Sequence, residues 1–360
     1  MKKEIFSLNL LKGICAILVV MIHAELYKKF LLSPLYRCAV PLFFMISGYF
    51  LMGNNGEWHR EKIGKYIKKM LLIWAITDLV YIIFSEFIFT DHSIILSHPN
   101  ILQLIVREVI LGGQFCYPLW YITAYVWALI VLRFWNCKSD KINLCLIGFL
   151  LLIKILLGAY NCILPFDITH NCIVDYLMNS FLTSALPFVM LGGILKRYTA
   201  THTGPKIKYI VYLLIISYVE RLFLWYCGYT KGDLFFTTPI LSFLILMWFV
   251  NHPKFGQTSW IRTIGKNYSL NIYLFHLLVM WMVEACCTQI GLDIMNYEFL
   301  IVLPITVLLC YLIGHTKNIT NRLSATWGGG KIRYDYLDLL PYIENSKNNS
   351  LFYLYTMGAH

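Results

Sequence analysis

The chain has 360 residues, of which 59% are hydrophobic and only 14% are charged, and its formal net charge is +11. A soluble domain carries about a quarter charged residues, so this composition excludes an ordinary soluble protein and indicates a polytopic membrane protein with an all-α fold. Basic residues collect in the cytoplasmic loops of membrane proteins, so the positive charge does not predict a nucleic-acid partner. No group of cysteines and histidines has the spacing of metal ligands, and no metal site is predicted.

Apolar runs long enough to cross a bilayer recur along the chain. About 20 such residues span the hydrocarbon core. Counting these runs predicts ten transmembrane helices, at about 6–26, 35–53, 69–89, 117–135, 142–161, 178–195, 208–226, 234–251, 268–287 and 297–315. The first run has no small-residue cleavage site before His23, which predicts a retained span. The apolar segment 101–113 is short and contains Arg107 and Glu108, so we expect an interfacial helix there.

The basic residues fall mainly on one side of this predicted topology. That side receives clusters within residues 60–69, 196–208 and 254–266, whereas the other side receives few basic residues. The asymmetry predicts that both termini are cytoplasmic, and an even number of spans agrees with it. We therefore expect a membrane-embedded domain, 1–316, followed by a short cytoplasmic tail, 317–360.

Two ionisable residues, Lys12 and His23, lie within the first apolar run. They are eleven residues apart, which on a helix is about three turns, so both side chains face the same way about 16 Å apart. An ionisable group inside a span usually faces the protein interior and marks a site or a pathway. Histidine is also the natural general base near neutral pH. The alternative is structural: Lys12 snorkels to the cytoplasmic face, and His23 is a satisfied histidine at the outer end.

A basic stretch precedes the third span. It contains four lysines, Lys62, Lys65, Lys68 and Lys69. Their i, i+3, i+4 spacing puts most of them on one helical face. Such a face suits the phosphates of a nucleotide-bearing donor. It also suits anionic head groups of membrane lipids, and on the residues alone lipid contact is the simpler interpretation.

Two further segments combine small, polar and aromatic residues. In the second span, Ser47 and Gly48 of VPLFFMISGY allow the close approach of another helix. At the outer start of the fourth span, Trp120 and Tyr121 of YPLWYI are typical of an interfacial aromatic belt. By themselves, both segments indicate packing.

The ninth span carries a polar stripe. Ser269, Tyr273 and His276 follow i, i+4, i+7 spacing and share one face of the helix. A buried histidine needs polar partners. The candidates are ionisable residues within predicted spans: Asp78, Lys154 and Glu284.

Together these segments resemble the integral membrane acyltransferase 3 family, which includes bacterial O-acetyltransferases of surface polysaccharides. The matching segments follow the family's order over about residues 8–280: LNLLKGICAILVVMIHA, VPLFFMISGYF, EKIGKYIKK, LWYITAY, ALPFVMLGGIL and IGKNYSLNIYLFH. The family's basic residue and the histidine that follows it in the first span match Lys12 and His23. Where the family often has arginine, Lys12 keeps the charge but not the planar fork. The membrane part of some membrane-bound serine racemases is also similar.

The resemblance implies a multi-pass acyltransferase of the bacterial cytoplasmic membrane. Its co-substrate would be acyl-CoA, most simply acetyl-CoA, on the cytoplasmic side. The acceptor would be a hydroxyl of a carbohydrate or glycolipid of the cell envelope or for export. Both substrates and the membrane lipids are thus the expected partners, and homo-oligomerisation is left open.

The resemblance also implies roles for individual residues. Catalytic roles fall to His23, Lys12 and His276, with His23 deprotonating the acceptor hydroxyl or carrying the acyl group transiently. The CoA phosphates are expected on the basic stretch, at Lys62, Lys65, Lys68 and Lys69. Substrate contacts are expected from five other residues: Trp120, Tyr121, Ser269, Tyr273 and Ser47.

A transporter or exporter of a small polar solute or glycan intermediate is the alternative function. The same buried ionisable residues suit a substrate or proton path. Labelled acetyl-CoA supplied to membrane vesicles separates the two hypotheses, because the enzyme labels a glycan and the transporter takes up solute without acyl transfer.

Overall fold

Helices make up the regular structure of this protein. The computed structural model describes residues 4–27, 29–88, 100–163, 178, 180–229, 234–294 and 296–326. Within these ranges there is no β-strand, and one isolated bridge pairs Met52 with Trp58. The prediction of an all-α fold is therefore confirmed.

Twelve helices of eight residues or more occur in the described ranges. They are α1 (Phe6–His23), α2 (Ala39–Leu51), α3 (Arg60–Phe87), α4 (Ile101–Ile110), α5 (Trp120–Phe134), α6 (Asp140–Leu157), α7 (Leu186–Tyr198), α8 (Ile207–Tyr226), α9 (Thr237–Asn251), α10 (Trp260–Asn267), α11 (Ser269–Gln289) and α12 (Glu298–Thr326). Shorter helical turns occupy Lys29–Leu32, Ser33–Tyr36, Tyr117–Leu119, Asn161–Ile163 and Phe181–Ser184.

Five helical segments among the described residues are long and apolar enough to cross a membrane. They are Phe6–His23, Lys29–Leu51, Arg60–Phe87, Tyr117–Phe134 and Ser269–Gln289. The other predicted spans also coincide with helices, but these are shorter or carry more charge. The helix α8, for example, contains Lys208, Glu220 and Arg221. A membrane fold is supported, whereas the count of ten spans and the cytoplasmic position of both termini stay predictions.

The helix α12 continues further than the predicted tenth span. That span was expected to end near residue 315, but the helix reaches Thr326 and so enters the predicted tail. Residues 327–360 of that tail lie outside the described residues. The proposed boundary at residue 316 therefore falls within a helix.

The helix α4 has one buried face and one exposed face. Leu104 and Glu108 are buried. The exposed face consists of large apolar residues: Ile101, Leu102, Ile105, Val106, Val109 and Ile110. An outward apolar face is typical of a helix that lies against lipid, which agrees with the interfacial helix expected at 101–113.

The helices α1 and α10 pack backbone to backbone through two glycines. A Cβ atom on Gly13 would lie 2.2 Å from the carbonyl oxygen of Ile261, and one on Gly265 would lie 1.9 Å from the carbonyl oxygen of Asn9. Only glycine leaves room for this approach. As a result, the residues next to these glycines, Lys12 and Lys266, are held at the same end of the helix bundle.

A second glycine contact joins α2 and α7. A Cβ atom on Gly48 would lie 1.9 Å from the carbonyl oxygen of Val189, and one on Gly192 would lie 2.0 Å from that of Met45. Gly48 of the second predicted span and Gly192 of the sixth thus form one helix contact. Small residues often mediate such contacts between membrane helices. This contact fixes the position of Ser47.

Candidate active site

The helix α1 carries Lys12 and His23 toward the protein interior. Lys12 is only 4% exposed, and His23, the last residue of the helix, is partly buried. The helix packs against α2, α10 and α11, which supply the neighbours of both side chains. The arrangement agrees with the predicted inward-facing stripe.

A cavity lies at the Lys12 end of α1. It encloses about 1020 Å³, part of which is open solvent. Six of the predicted site residues line it: Lys12, Ser47, Lys69, Tyr121, Ser269 and Tyr273. These residues come from α1, α2, α3, α5 and α11. The fold thus brings together residues that are more than 250 positions apart in the chain.

The cavity has an excess of positive charge. Three lysines line it, namely Lys12, Lys69 and Lys266, and no described lining residue is acidic. Of the basic stretch, only Lys69 lines the cavity; Lys65 and Lys68 are exposed and Lys62 is partly buried elsewhere. A concave surface with one sign of charge favours an anionic ligand.

Three tyrosines form a layer between the lysines and His276. The ring of Tyr121 lies 4.9 Å from that of Tyr273 and 6.2 Å from that of Tyr125. Two of the hydroxyls are held in place, since that of Tyr125 lies 2.5 Å from Ser47 Oγ and that of Tyr273 donates to the carbonyl oxygen of Pro118. Apolar lining residues, including Phe43, Phe50 and Met70, adjoin this layer.

Two histidines meet beyond the tyrosine layer. The rings of His23 and His276 are 5.1 Å apart, and that of Tyr273 is 6.1 Å from His276. Nδ1 of His276, which is fully buried, lies 2.8 Å from the carbonyl oxygen of Tyr273 and 3.1 Å from that of Ile272. These contacts assign the proton to Nδ1. Nε2 then has a lone pair, and it has no hydrogen-bond partner among the described residues.

The histidine pair lies near an exposed aromatic residue. Tyr117 is 67% exposed, and its ring contacts that of His23 edge-on at 6.1 Å. An exposed aromatic ring of this kind offers an apolar face to an amphipathic group. Together the two histidines have the chemistry to remove a proton from a hydroxyl.

The expected ionisable partners of His276 lie elsewhere. Asp78 has the carboxyl group of Glu108 as its side-chain neighbour, and Glu108 accepts a hydrogen bond from Trp74 Nε1 at 3.0 Å. Lys154 donates to Ser184 Oγ at 3.2 Å. Glu284 has Glu298 as its side-chain neighbour. The partners of His276 are instead two backbone carbonyls of its own helix and the ring of His23.

Trp120 and Ser269 have surroundings that differ from a simple substrate contact. Trp120 does not line the cavity. Its Cβ lies 3.3 Å from the point that a Cβ on Gly113 would occupy, so Trp120 packs close to the backbone of this glycine. Ser269 lines the cavity, while its hydroxyl donates to the carbonyl oxygen of Gly265 at 2.9 Å. The hydroxyl of Ser269 is therefore bonded to the backbone where α10 meets α11.

The family of the chain follows from a comparison with family models. The acyltransferase 3 model, described as an acyltransferase domain, matches residues 5–315. The chain belongs to the acyltransferase 3 family. The match covers the helices that form the cavity and the histidine pair.

Two curated relatives are similar to this chain. One amino-acid racemase of Enterococcus faecalis is 24% identical over 323 residues, which is 84% of this chain and 42% of that protein. A second amino-acid racemase of the same organism is 25% identical over 343 residues, or 88% of this chain and 47% of that protein. The chain thus spans less than half the length of either relative. No solved structure matches it significantly.

Sequence reasoning did not single out four polar residues of the cavity. They are Tyr66, Tyr125, Lys266 and Asn267. A signal existed for Tyr125, because it lies four residues after Tyr121 and so shares its helical face. For Lys266 the only signal of a site was its position beside Gly265, because its positive charge was counted with the basic residues of a predicted cytoplasmic loop.

Proposed function

We propose that this acyltransferase moves an acyl group, most simply acetyl from acetyl-CoA, to a hydroxyl of a cell-envelope or exported carbohydrate. One observation carries the proposal: α1 bears Lys12 in a positively charged cavity and, about three turns later, His23 in a pair of histidines in contact, with tyrosines between the two places. Donor and acceptor would therefore approach from opposite sides of the cell membrane.

The donor side of the proposal rests on the lysine end of the cavity. Lysines suit the phosphates of CoA as point charges. The basic stretch begins α3, and Lys69 extends it into the cavity. The lining also includes Phe43, Phe50 and Met70, which suit an uncharged pantetheine arm and its thioester.

The acceptor side of the proposal rests on the histidine pair. His23 would take the proton of the acceptor hydroxyl, and the oxygen would attack the thioester carbonyl. The new C–O bond replaces the C–S bond, and CoA leaves as its thiolate. In the covalent variant the imidazole of His23 carries the acyl group before the hydroxyl attacks. In both variants Nε2 of His276 is available to hydrogen-bond a protonated His23.

The test is acetyl transfer by the purified protein in lipid nanodiscs, with radiolabelled acetyl-CoA and an envelope glycan fraction from the organism that encodes the protein. The wild type should label glycan. His23→Ala should lower the rate by about 100-fold or more, the usual contribution of general acid–base catalysis. Full activity of this variant would refute the assignment of His23.

A matched control is His202→Ala. His202 is exposed and stacks on Tyr198 at 4.0 Å, away from the cavity. This variant should transfer acetyl at the wild-type rate. Both variants should elute as the wild type does in size-exclusion chromatography, so that a lost activity reports chemistry rather than folding.

A second candidate function is transport of a small polar solute. It is favoured by the similarity to two proteins named amino-acid racemases and by the cavity inside a membrane fold. The wild type in sealed liposomes should then accumulate a labelled amino acid without consuming acetyl-CoA. Glycan labelling without uptake supports the acyltransferase proposal instead.

A further inference from the structure

We propose that Lys266 binds the phosphate-bearing part of the donor, and that Glu4 occupies Lys266 when this site is empty. The proposal rests on the proposed use of CoA. It adds two residues outside the basic stretch, and it makes the N-terminal segment an internal competitor of the donor.

The three lysines of the cavity come from three parts of the chain. Lys12 lies on α1, Lys69 on α3 and Lys266 on α10. The contact between Gly13 and Gly265 holds α1 against α10, so the positions of Lys12 and Lys266 are coupled. A cavity that three lysines line, with no acidic lining residue in the described chain, suits a ligand with several negative charges, such as a diphosphate.

Lys266 has a carboxylate partner outside the cavity lining. Its Nζ lies 3.1 Å from Oε1 of Glu4. The same oxygen accepts a hydrogen bond of 2.9 Å from Asn9 Nδ2, which orients the carboxylate. Lys266, one of the three cations of the cavity, is therefore paired with an anion of the chain itself.

The Glu4–Lys266 pair is weak enough to be exchanged. The side chains of Glu4 and Lys266 are 35% and 39% exposed. An ion pair in such surroundings contributes little, because water and salt screen it. A phosphate has more charge and more acceptor oxygens than a carboxylate, so it should replace Glu4 at Lys266. Asn9 would then retain the Glu4 carboxylate through its Nδ2 hydrogen bond.

The experiment measures the binding of two probes to the full chain in nanodiscs of neutral phosphatidylcholine. The probes are CoA and 3′,5′-ADP, which carries phosphates but no pantetheine arm. Glu4→Gln should lower the Kd of both probes about two- to fivefold, since the lost competitor was an exposed ion pair. Lys266→Gln should raise both Kd values about tenfold, and Lys266→Arg should retain tight binding.

The double variant Glu4→Gln/Lys266→Gln should bind like Lys266→Gln alone, because Glu4 acts through Lys266. The charge controls are Glu61→Gln and Lys254→Gln, both exposed and outside the cavity lining, and both should leave Kd unchanged. The proposal is overturned if neither probe binds the wild type, if Lys266→Gln binds both probes normally, or if the effect of Glu4→Gln persists in the double variant.

A second set of nanodiscs containing phosphatidylglycerol identifies the source of the phosphate. If Lys266 recognises the donor, its variants change probe binding in neutral lipid as well. If they change binding only where anionic lipid is present, the lysine contacts head groups and the proposal is wrong. Failure of the proposed function is a separate result: the probes bind in a Lys266-dependent way, but no acetyl is transferred.

Discussion

Replacement of Gly265 by alanine is the sharpest test of how the fold builds the cavity. The new Cβ would lie 1.9 Å from the carbonyl oxygen of Asn9 and 2.3 Å from the backbone nitrogen of Gly13. Real Cβ contacts are essentially never shorter than 3.0 Å, so α1 and α10 must separate by at least 1.1 Å, the difference between 3.0 and 1.9 Å. Overpacking of this kind costs about 1–3 kcal/mol.

The same shift moves Lys12 away from Lys266. A misplacement of about 1 Å can lower a rate by about 100-fold. We therefore expect Gly265→Ala to lower both the thermal midpoint of the solubilised protein and its kcat/KM for acetyl transfer. Tryptophan fluorescence on heating measures the first, and the radiolabel assay measures the second.

Gly148 supplies the control for this experiment. It lies within α6, and a Cβ on it would meet nothing within 4 Å. Gly148→Ala should be neutral or stabilising by up to about 1 kcal/mol, because alanine favours a helix over glycine. Wild-type stability and activity of Gly265→Ala, or equal damage from both variants, would refute the reasoning.

Three further predictions concern buried polar groups. His276→Leu removes the lone pair beside His23 and should lower acetyl transfer about 100-fold with the protein still folded; unchanged transfer would contradict its role. Tyr125→Phe removes the hydroxyl that lies 2.5 Å from Ser47 Oγ and should lower the free energy of unfolding by about 1–3 kcal/mol. An unchanged midpoint of thermal unfolding would count against this hydrogen bond. Glu108→Ala removes the acceptor of Trp74 Nε1 and of two backbone amides and should destabilise similarly, visible as earlier proteolysis between α4 and α5.

The positions of the helices could be predicted wherever an apolar run alone determines them. The first span was expected at 6–26, and α1 occupies Phe6–His23. The sequence also indicated a face shared by Ser269, Tyr273 and His276, because helical spacing fixes which residues lie on one side. Apolarity does not reveal how many helices cross the bilayer when charged residues interrupt them, as they do in α8.

The contacts of each residue were harder to predict than its position along the membrane normal. Asp78 was a reasonable partner for His276 because both lie within predicted spans. Depth along the membrane does not determine which helix lies alongside, however, and Asp78 meets Glu108 on the buried face of α4. Likewise Lys266 belongs to a short helix pressed against α1, whereas its charge alone indicated a cytoplasmic loop.

The tyrosine layer has a consequence for the integrity of the cell. A protein that takes its donor from one side of a membrane and its acceptor from the other risks becoming a pore. The rings of Tyr121, Tyr125 and Tyr273 line the cavity, that of Tyr273 lies 6.1 Å from His276, and Phe44 stacks on Tyr121 at 4.4 Å. Aromatic rings in contact narrow the path along which water could form a continuous file. In the proposed reaction, an acyl group could therefore cross while the ion gradients of the cell stay intact.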